Sequence, residues 1–179
     1  MNIKKIIIIA LAILLLSTAT ILTVLGANNM RRTRSMREFN RIIEQGELDD
    51  ITLTIYFSGL AFIHGSITVD HVIEFHHYKA VVDGARLTEH IELLKELSNV
   101  DLRPSRNEWN FLKLNVYYIF ETSCGRKLLD VAMWINDYDV IVNGFEVRGY
   151  DIFSDVIIPF LPEDIVRSIE YRIGRRQYY

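Results

Sequence analysis

The chain has 179 residues, of which 50% are hydrophobic and 24% are charged, with one cysteine and a formal net charge of −3. This length allows one domain plus an appendage, and the hydrophobic fraction excludes an intrinsically disordered or low-complexity chain. A single cysteine excludes an intrachain disulfide framework.

The charge is distributed unevenly along the chain. Residues 1–45 carry a net charge of +5, residues 46–166 carry −11, and residues 167–179 carry +3. Contacts to nucleic-acid phosphates need clustered Lys and Arg, so this acidic body argues against nucleic-acid binding. Anionic lipid headgroups are one partner that would suit the basic ends.

The first 27 residues have the pattern of a membrane segment. A short tail, residues 1–5, ends in Lys4 and Lys5, and residues 6–27 contain no charged side chain. As a helix, residues 6–27 would extend about 33 Å, enough to cross a hydrocarbon core of about 30 Å. Because the apolar core of a cleavable signal peptide is usually only about 7–15 residues long, we predict a transmembrane signal-anchor helix that contacts membrane lipid. A cleaved signal peptide ending near Gly26 is the alternative.

The charges that flank this segment give opposing indications of its orientation. Residues 28–37 form a basic juxtamembrane linker, and five arginines lie close behind the span: Arg31, Arg32, Arg34, Arg37 and Arg41. Counted by the positive-inside rule, these arginines favour a cytosolic C-terminal domain. A short Lys-Lys tail before an apolar run is instead typical of a secretory start. We predict that the domain lies on the extracytoplasmic face, with the cytosolic face as the alternative.

The first half of the remaining chain, residues 38–99, predicts helices and two strands. Helical spacing of Phe39, Ile42 and Ile43 indicates a short amphipathic helix over 36–45 that ends at Gly46. Residues 51–57 alternate between β-forming apolar residues and polar or smaller ones, which predicts a strand.

After an ambiguous apolar stretch, residues 58–65, Thr68 is placed to cap a short helix that runs through Phe75. Residues 78–82 predict a second strand, which ends at the Asp83-Gly84 turn signal. The apolar residues that follow have helical spacing, which predicts a single helix that ends at Asn99. They are Leu87, Ile91, Leu94 and Leu97.

The second half predicts a sheet followed by helices. Residues 109–148 contain apolar runs separated by turn signals, of which Asn143-Gly144 is the strongest, and they indicate an antiparallel meander. Residues 150–160 have helical spacing, and Pro162 opens a last helix with an apolar stripe at Ile165, Ile169 and Ile173. We therefore predict one α+β domain over residues 38–179, an antiparallel sheet with helices packed on one face.

The histidines are the one group of residues that suggests metal chemistry. His64, His71, His76 and His77 lie close together in the sequence. Zinc requires three or four ligands at useful spacing, and neighbouring residues of a strand point to opposite faces, so His76 and His77 are poorly placed to share an ion. The sequence has no H-E-x-x-H or C-x-x-C motif. We therefore interpret these histidines as structural, and assign no metal ligand, cofactor or catalytic residue.

Other reactive groups have structural explanations of the same kind. Cys124 lies in a predicted turn beside Arg126 and Lys127, whose charges would lower the pKa of its thiol. No nucleophile elbow surrounds Ser58 or Ser66. Three pairs of carboxylates lie at turns and helix starts, where local structure accounts for them: Asp49 and Asp50, Asp137 and Asp139, Glu163 and Asp164.

Aromatic residues of the meander have two interpretations. Most often such residues form the core and cross-strand pairs of a sheet. At an exposed edge strand they would suit a protein or peptide partner. The residues concerned are Trp109, Tyr117, Tyr118, Trp134 and Tyr138.

These observations favour a membrane-anchored, non-enzymatic interaction module. Its layout is common among bacterial envelope proteins, but an architecture by itself carries no activity. The alternative function is a small envelope enzyme or a metal-dependent sensor that uses the His64–His77 region.

Overall fold

The computed structural model describes residues 17, 34–59, 67–102, 114–134, 139–148, 151–167 and 169. The chain divides into two compact units, Met1–Arg37 and Glu38–Tyr179. Apart from Ser17, the predicted span over residues 6–27 lies outside the described residues, as do the tail 1–5 and most of the linker 28–37. Within the described part of the chain, no helix has the length and hydrophobicity needed to cross a membrane.

The first described helix, α1, covers residues 34–45 and ends before Gly46. It confirms the amphipathic pattern, because Phe39 and Ile43 are fully buried and Ile42 nearly so. The side chain of Asn40 donates a hydrogen bond to the Ser98 carbonyl (2.8 Å), which connects this helix to the end of a later one.

Six strands in the described residues form one antiparallel sheet in the order β2-β1-β3-β4-β5-β6. The strands are β1 Ile51–Phe57, β2 Tyr78–Val82, β3 Val116–Thr122, β4 Lys127–Met133, β5 Asp139–Val142 and β6 Phe145–Arg148. The last four strands follow one another as neighbours, so the predicted meander is confirmed. Asn143 and Gly144 connect β5 to β6 with positive φ angles of 49° and 79°, which a tight hairpin turn of the primed type requires.

One face of the sheet, the core face, is continuously apolar. Pairing sets Leu53 beside Phe120 and Ile55 beside Tyr118, and all four side chains are fully buried. The Phe39 ring of α1 packs 5.0 Å from the Phe120 ring, and the Tyr118 hydroxyl donates to the Phe153 carbonyl (3.0 Å). This face is therefore covered by α1 and by the C-terminal segment that carries Phe153.

The opposite, outer face also carries a helix, which corrects the expectation that helices pack on one face. Thr68 caps α2, Val69–Glu74, and its hydroxyl accepts a hydrogen bond from the His71 backbone N–H (3.3 Å). Val72 of α2 is fully buried in a cluster with Tyr117 and Ala132. Alternation along β3 and β4 directs these two side chains away from the core face, so α2 covers part of the outer face.

The helix predicted across Leu87–Leu97 is two helices, α3 Gly84–Thr88 and α4 Ile91–Ser98. The Asp83 side chain caps α3 by accepting from the Arg86 backbone N–H (3.0 Å), and the chain turns at Glu89 and His90 before α4 begins. Gly84 is needed at the start of α3, because a Cβ there would overlap the backbone carbonyl of Leu48. Helix α4 ends at Asn99, as predicted.

The helix predicted over residues 150–160 is also wrong as one element. It consists of α5, Ile152–Asp155, followed by a 3-10 turn, Ile158–Phe160. Pro159 accounts for the break, since proline has no N–H to donate to the carbonyl of Asp155, four residues earlier. Helix α6 covers residues 163–167 after Pro162, and Ile169 is buried, whereas Ile173 lies outside the described residues.

Candidate functional site

The three described histidines of the His64–His77 region each have a different contact. The His71 ring packs on Phe75 with centroids 4.6 Å apart, and His77 lies over Gly59, where a Cβ would come 3.2 Å from His77 Nδ1. His76 Nδ1 is 2.7 Å from the Ile73 carbonyl, so this nitrogen carries the proton and donates it. His64 lies outside the described residues.

These separate contacts leave the histidine region without a metal-binding arrangement in the described residues. No group of three His, Cys, Asp or Glu side chains among them is placed to hold an ion. His76 and His77 are both exposed, and each ring serves a local contact.

An aromatic row crosses the outer face of the sheet, and Tyr56 is its centre. The Tyr56 ring lies 6.1 Å from the Tyr117 ring and 5.4 Å from the His76 ring. Lys79 Nζ lies 5.1 Å from the Tyr56 centroid, within the range of a cation–π contact. Cross-strand pairing produces the row, because Tyr56 is opposite Lys79 on β2 and Tyr117 on β3.

The row continues into a polar network on β4. The Tyr117 hydroxyl donates to Asp130 Oδ2 (3.3 Å), and Lys127 Nζ lies 2.9 Å from the same oxygen. Burial, and then the charge of Asp130, raise the pKa of Tyr117 well above its usual range. Tyr117 is therefore a proton donor at neutral pH and is unsuited to act as a base or nucleophile. The other carboxylate oxygen, Asp130 Oδ1, is buried without a hydrogen-bond partner among the described residues.

The turn between β3 and β4 places Cys124 beside Thr122, a contact that the sequence analysis did not predict. Cys124 is exposed, and its Sγ lies 3.1 Å from the Thr122 hydroxyl. This hydrogen bond is the largest cause that lowers the pKa of Cys124, followed by the backbone N–H of Arg126, while the charge of Arg126 contributes less. Lys127, which was expected to act on the thiol, pairs with Asp130. The arrangement supplies an accessible thiol with enhanced thiolate character.

Two of the meander aromatics, Tyr117 and Tyr118, follow the interpretation as core and cross-strand residues. Tyr118 is a core residue with no exposed surface, and Tyr117 is 95% buried beneath α2, while Trp134 is partly buried. Trp109 and Tyr138 lie outside the described residues.

The described pairs of carboxylates lie in a turn and at a helix start, as the sequence predicted. Asp49 and Asp50 are exposed in a turn, and Glu163 and Asp164 are exposed at the start of α6. Ser58 donates to the Asn115 carbonyl. Asp137, the side chain of Asp139, and Ser66 lie outside what the structure describes.

The open edge at β2 is the site feature that sequence reasoning missed. Among the described strands, β2 pairs only with β1, so one side of its backbone has no strand partner. Val81 on this strand is 60% exposed, and Phe75, just before it, is 54% exposed. The sequence shows that Lys79 and Val81 alternate with inward-facing residues. That β2 lies at an edge of the sheet depends instead on the order of the strands, which the sequence does not show.

Comparisons with known protein families, with curated proteins and with solved structures each found no match.

Proposed function

We propose that this chain is a single-pass membrane-anchored interaction module whose domain, residues 38–179, binds a protein or peptide partner at the extracytoplasmic face. Residues 6–27 serve as the anchor, and residues 28–37 connect it to the domain. The observation that carries the binding part is the open β2 edge with its exposed apolar side chains.

The anchor is supported by the sequence and by the division of the chain. Residues 6–27 are long enough and apolar enough to span a bilayer. The second compact unit begins at Glu38, directly after the basic segment that follows the apolar run. A domain with its own buried core and a separate apolar leader is the organisation that a tethered module requires.

The binding surface is supported by the physical chemistry of edge strands. An edge strand presents backbone N–H and C=O groups that an extended peptide can pair with, and proteins usually blunt such edges with charge, proline or a covering element. The solvent-exposed positions of β2 are Lys79 and Val81. Lys79 is held over Tyr56, which leaves Val81 and nearby Phe75 as apolar contacts for an added strand.

The membrane orientation can be tested with the native cysteine. Because Cys124 is exposed and is the only cysteine of the chain, a membrane-impermeant maleimide reports the side of the domain without any added residue. We expect labelling of intact cells, and none in the Cys124→Ser control. Labelling that requires lysis would place the domain in the cytosol and overturn the extracytoplasmic assignment.

The binding edge can be tested by site-specific crosslinking in intact cells. A photoreactive side chain at position 81 should give a defined adduct, whereas one at Glu92, exposed on α4, should not. Substituting Phe75→Ser in the position-81 variant should weaken the adduct. The same set of adducts from positions 81 and 92, or none from either, would contradict a partner at β2.

A further inference from the structure

Helix α1 carries a basic face whose arginines are exposed. Arg34, Arg37 and Arg41 follow the spacing i, i+3, i+7, which places them on one side of the helix, and all three are exposed. The buried positions Phe39 and Ile43 lie on the other side. The helix is thus apolar towards the core and basic towards solvent.

Within residues 34–47, the acids are either already paired or lie at the far end of this face. Glu38, which is largely buried, forms an ion pair with Arg126 at 2.6 Å. Glu44 lies at the end of the basic face, and Glu47 is 3.9 Å from Arg41, whose Nη1 also donates to Gln45 (2.6 Å). Positive charge is therefore greatest at the end of α1 that is nearer the predicted span.

The length of chain between the span and α1 limits how far this face can be from a membrane. Arg34 follows Ala27, the last residue of the predicted span, by seven positions. Even a fully extended chain of that length reaches only about 25 Å. The anchor would therefore hold the basic face close to one lipid surface at a high effective concentration.

We propose that the basic face of α1, formed by Arg34, Arg37 and Arg41, docks on anionic lipid headgroups of the membrane that holds residues 6–27. This inference rests on the proposed membrane anchor. Arginine forks bind phosphate oxygens in two-point contacts, and the acidic body of the chain is repelled by the same surface. Docking through this face thus sets which side of the domain is turned away from the bilayer.

The native cysteine provides a reporter for this docking. Cys124 lies two residues from Arg126, whose ion pair with Glu38 connects the β3–β4 turn to α1. A fluorophore on Cys124 of the full chain would be quenched by lipids that carry a nitroxide on the headgroup when α1 is docked. The vesicles compared are zwitterionic lipid alone and zwitterionic lipid mixed with anionic lipid.

We expect stronger quenching with anionic lipid, and loss of that increase at high salt. Each arginine near an anionic surface contributes about a fivefold factor, so a variant with Arg34→Gln, Arg37→Gln and Arg41→Gln should lower the ratio of docked to undocked chain about a hundredfold. The matched control removes three basic side chains elsewhere, with Lys95→Gln, Arg148→Gln and Arg167→Gln, and should keep the increase.

The outcomes separate this inference from the anchor on which it rests. Alkaline carbonate extraction is performed first, and release of the chain from the vesicles would overturn the anchor and the docking together. An anchored chain with equal quenching in both vesicle types, or an equal loss in both variants, would overturn the docking alone. The vesicles contain no protein partner, so a basic face that binds an acidic protein rather than lipid would also give equal quenching in both vesicle types.

Discussion

The two faces of the sheet are made by the same strands but bury their side chains differently. On the core face, Leu53 and Phe120 are fully buried beneath helices. On the outer face, α2 covers Tyr117 and Ala132, while Val81 on the edge strand remains 60% exposed. The core face depends mainly on apolar packing, with a buried hydrogen bond from the Tyr118 hydroxyl, whereas the outer face combines packing with polar contacts around Tyr56 and Asp130. A strand pattern therefore identifies which side chains share a face, but not how completely that face is covered.

The largest expected effect is the difference between an aromatic ring on each face. Phe120→Ala should lower the free energy of unfolding by about 3–5 kcal/mol, because it leaves a cavity beside the Phe39 and Tyr118 rings. Tyr56→Ala, on the partly exposed outer face, should cost about 1–2 kcal/mol. Denaturant unfolding of the full chain in detergent, followed by tryptophan fluorescence, gives both values. Equal losses would mean that the outer face is as tightly packed as the core face.

Adjacent residues Val82 and Val81 give a second comparison, with identical chemistry on opposite faces. Val82→Thr should lower the free energy of unfolding by about 1–2 kcal/mol, because it buries a hydroxyl in the core. Val81→Thr should change it by less than about 0.5 kcal/mol, because the side chain is exposed. The same unfolding measurement applies. A large loss for Val81→Thr would show that this position is covered within the chain itself.

The hydroxyls of Tyr118 and Tyr117 sharpen the comparison at the level of single hydrogen bonds. Tyr118→Phe removes a buried bond to the Phe153 carbonyl (3.0 Å) and should cost about 1–1.5 kcal/mol. Tyr117→Phe removes a longer hydrogen bond to Asp130 (3.3 Å) and should cost about 0.5 kcal/mol, because the Asp130 carboxylate retains its ion pair with Lys127. A greater loss at Tyr117 than at Tyr118 would indicate that the Asp130 network contributes more than the geometry suggests.

The smallest expected effect is a pH dependence on α5, next to the core face. Partial burial, followed by the charges of Asp151 and Glu96, raises the pKa of Asp155 above its ordinary value. The folded state then holds this proton more tightly than the unfolded state, so the contribution favours folding at low pH and is lost as pH rises from the unfolded pKa through the raised folded one. Asp155→Asn should therefore stabilise the chain at pH 7 by about 0.5 kcal/mol or less, since the carboxylate is largely solvated.

Thermal unfolding at two pH values checks the prediction for Asp155. The stabilisation by Asp155→Asn should vanish near pH 3, where the native carboxyl is already protonated in both states. A stabilisation of equal size at both pH values would mean that the amide acts through packing or hydrogen bonding rather than through charge.

The sequence by itself determined those elements whose signals are local. The spacing of Phe39, Ile42 and Ile43, the alternation of β1, the Thr68 cap and the Asn143-Gly144 hairpin each depend on residues a few positions apart, and each is confirmed. Pro159 was a local signal of the same kind, but the helical spacing of the residues around it led to the prediction of one continuous helix. Dihedral preference and side-chain period are properties of a short segment, which is why such features can be read directly.

Tertiary structure alone decided which segments became neighbours. Strand β2 pairs with β1, whereas β3, far along the chain, occupies β1's other side, so β2 lies at an edge among the described strands, and Val81 is exposed. The same long-range pairing places Tyr56 between Lys79 and Tyr117, and positions α2 on the outer face. These contacts join residues separated by tens of positions, and the free energy that selects them comes from burying whole faces together, which no short segment encodes.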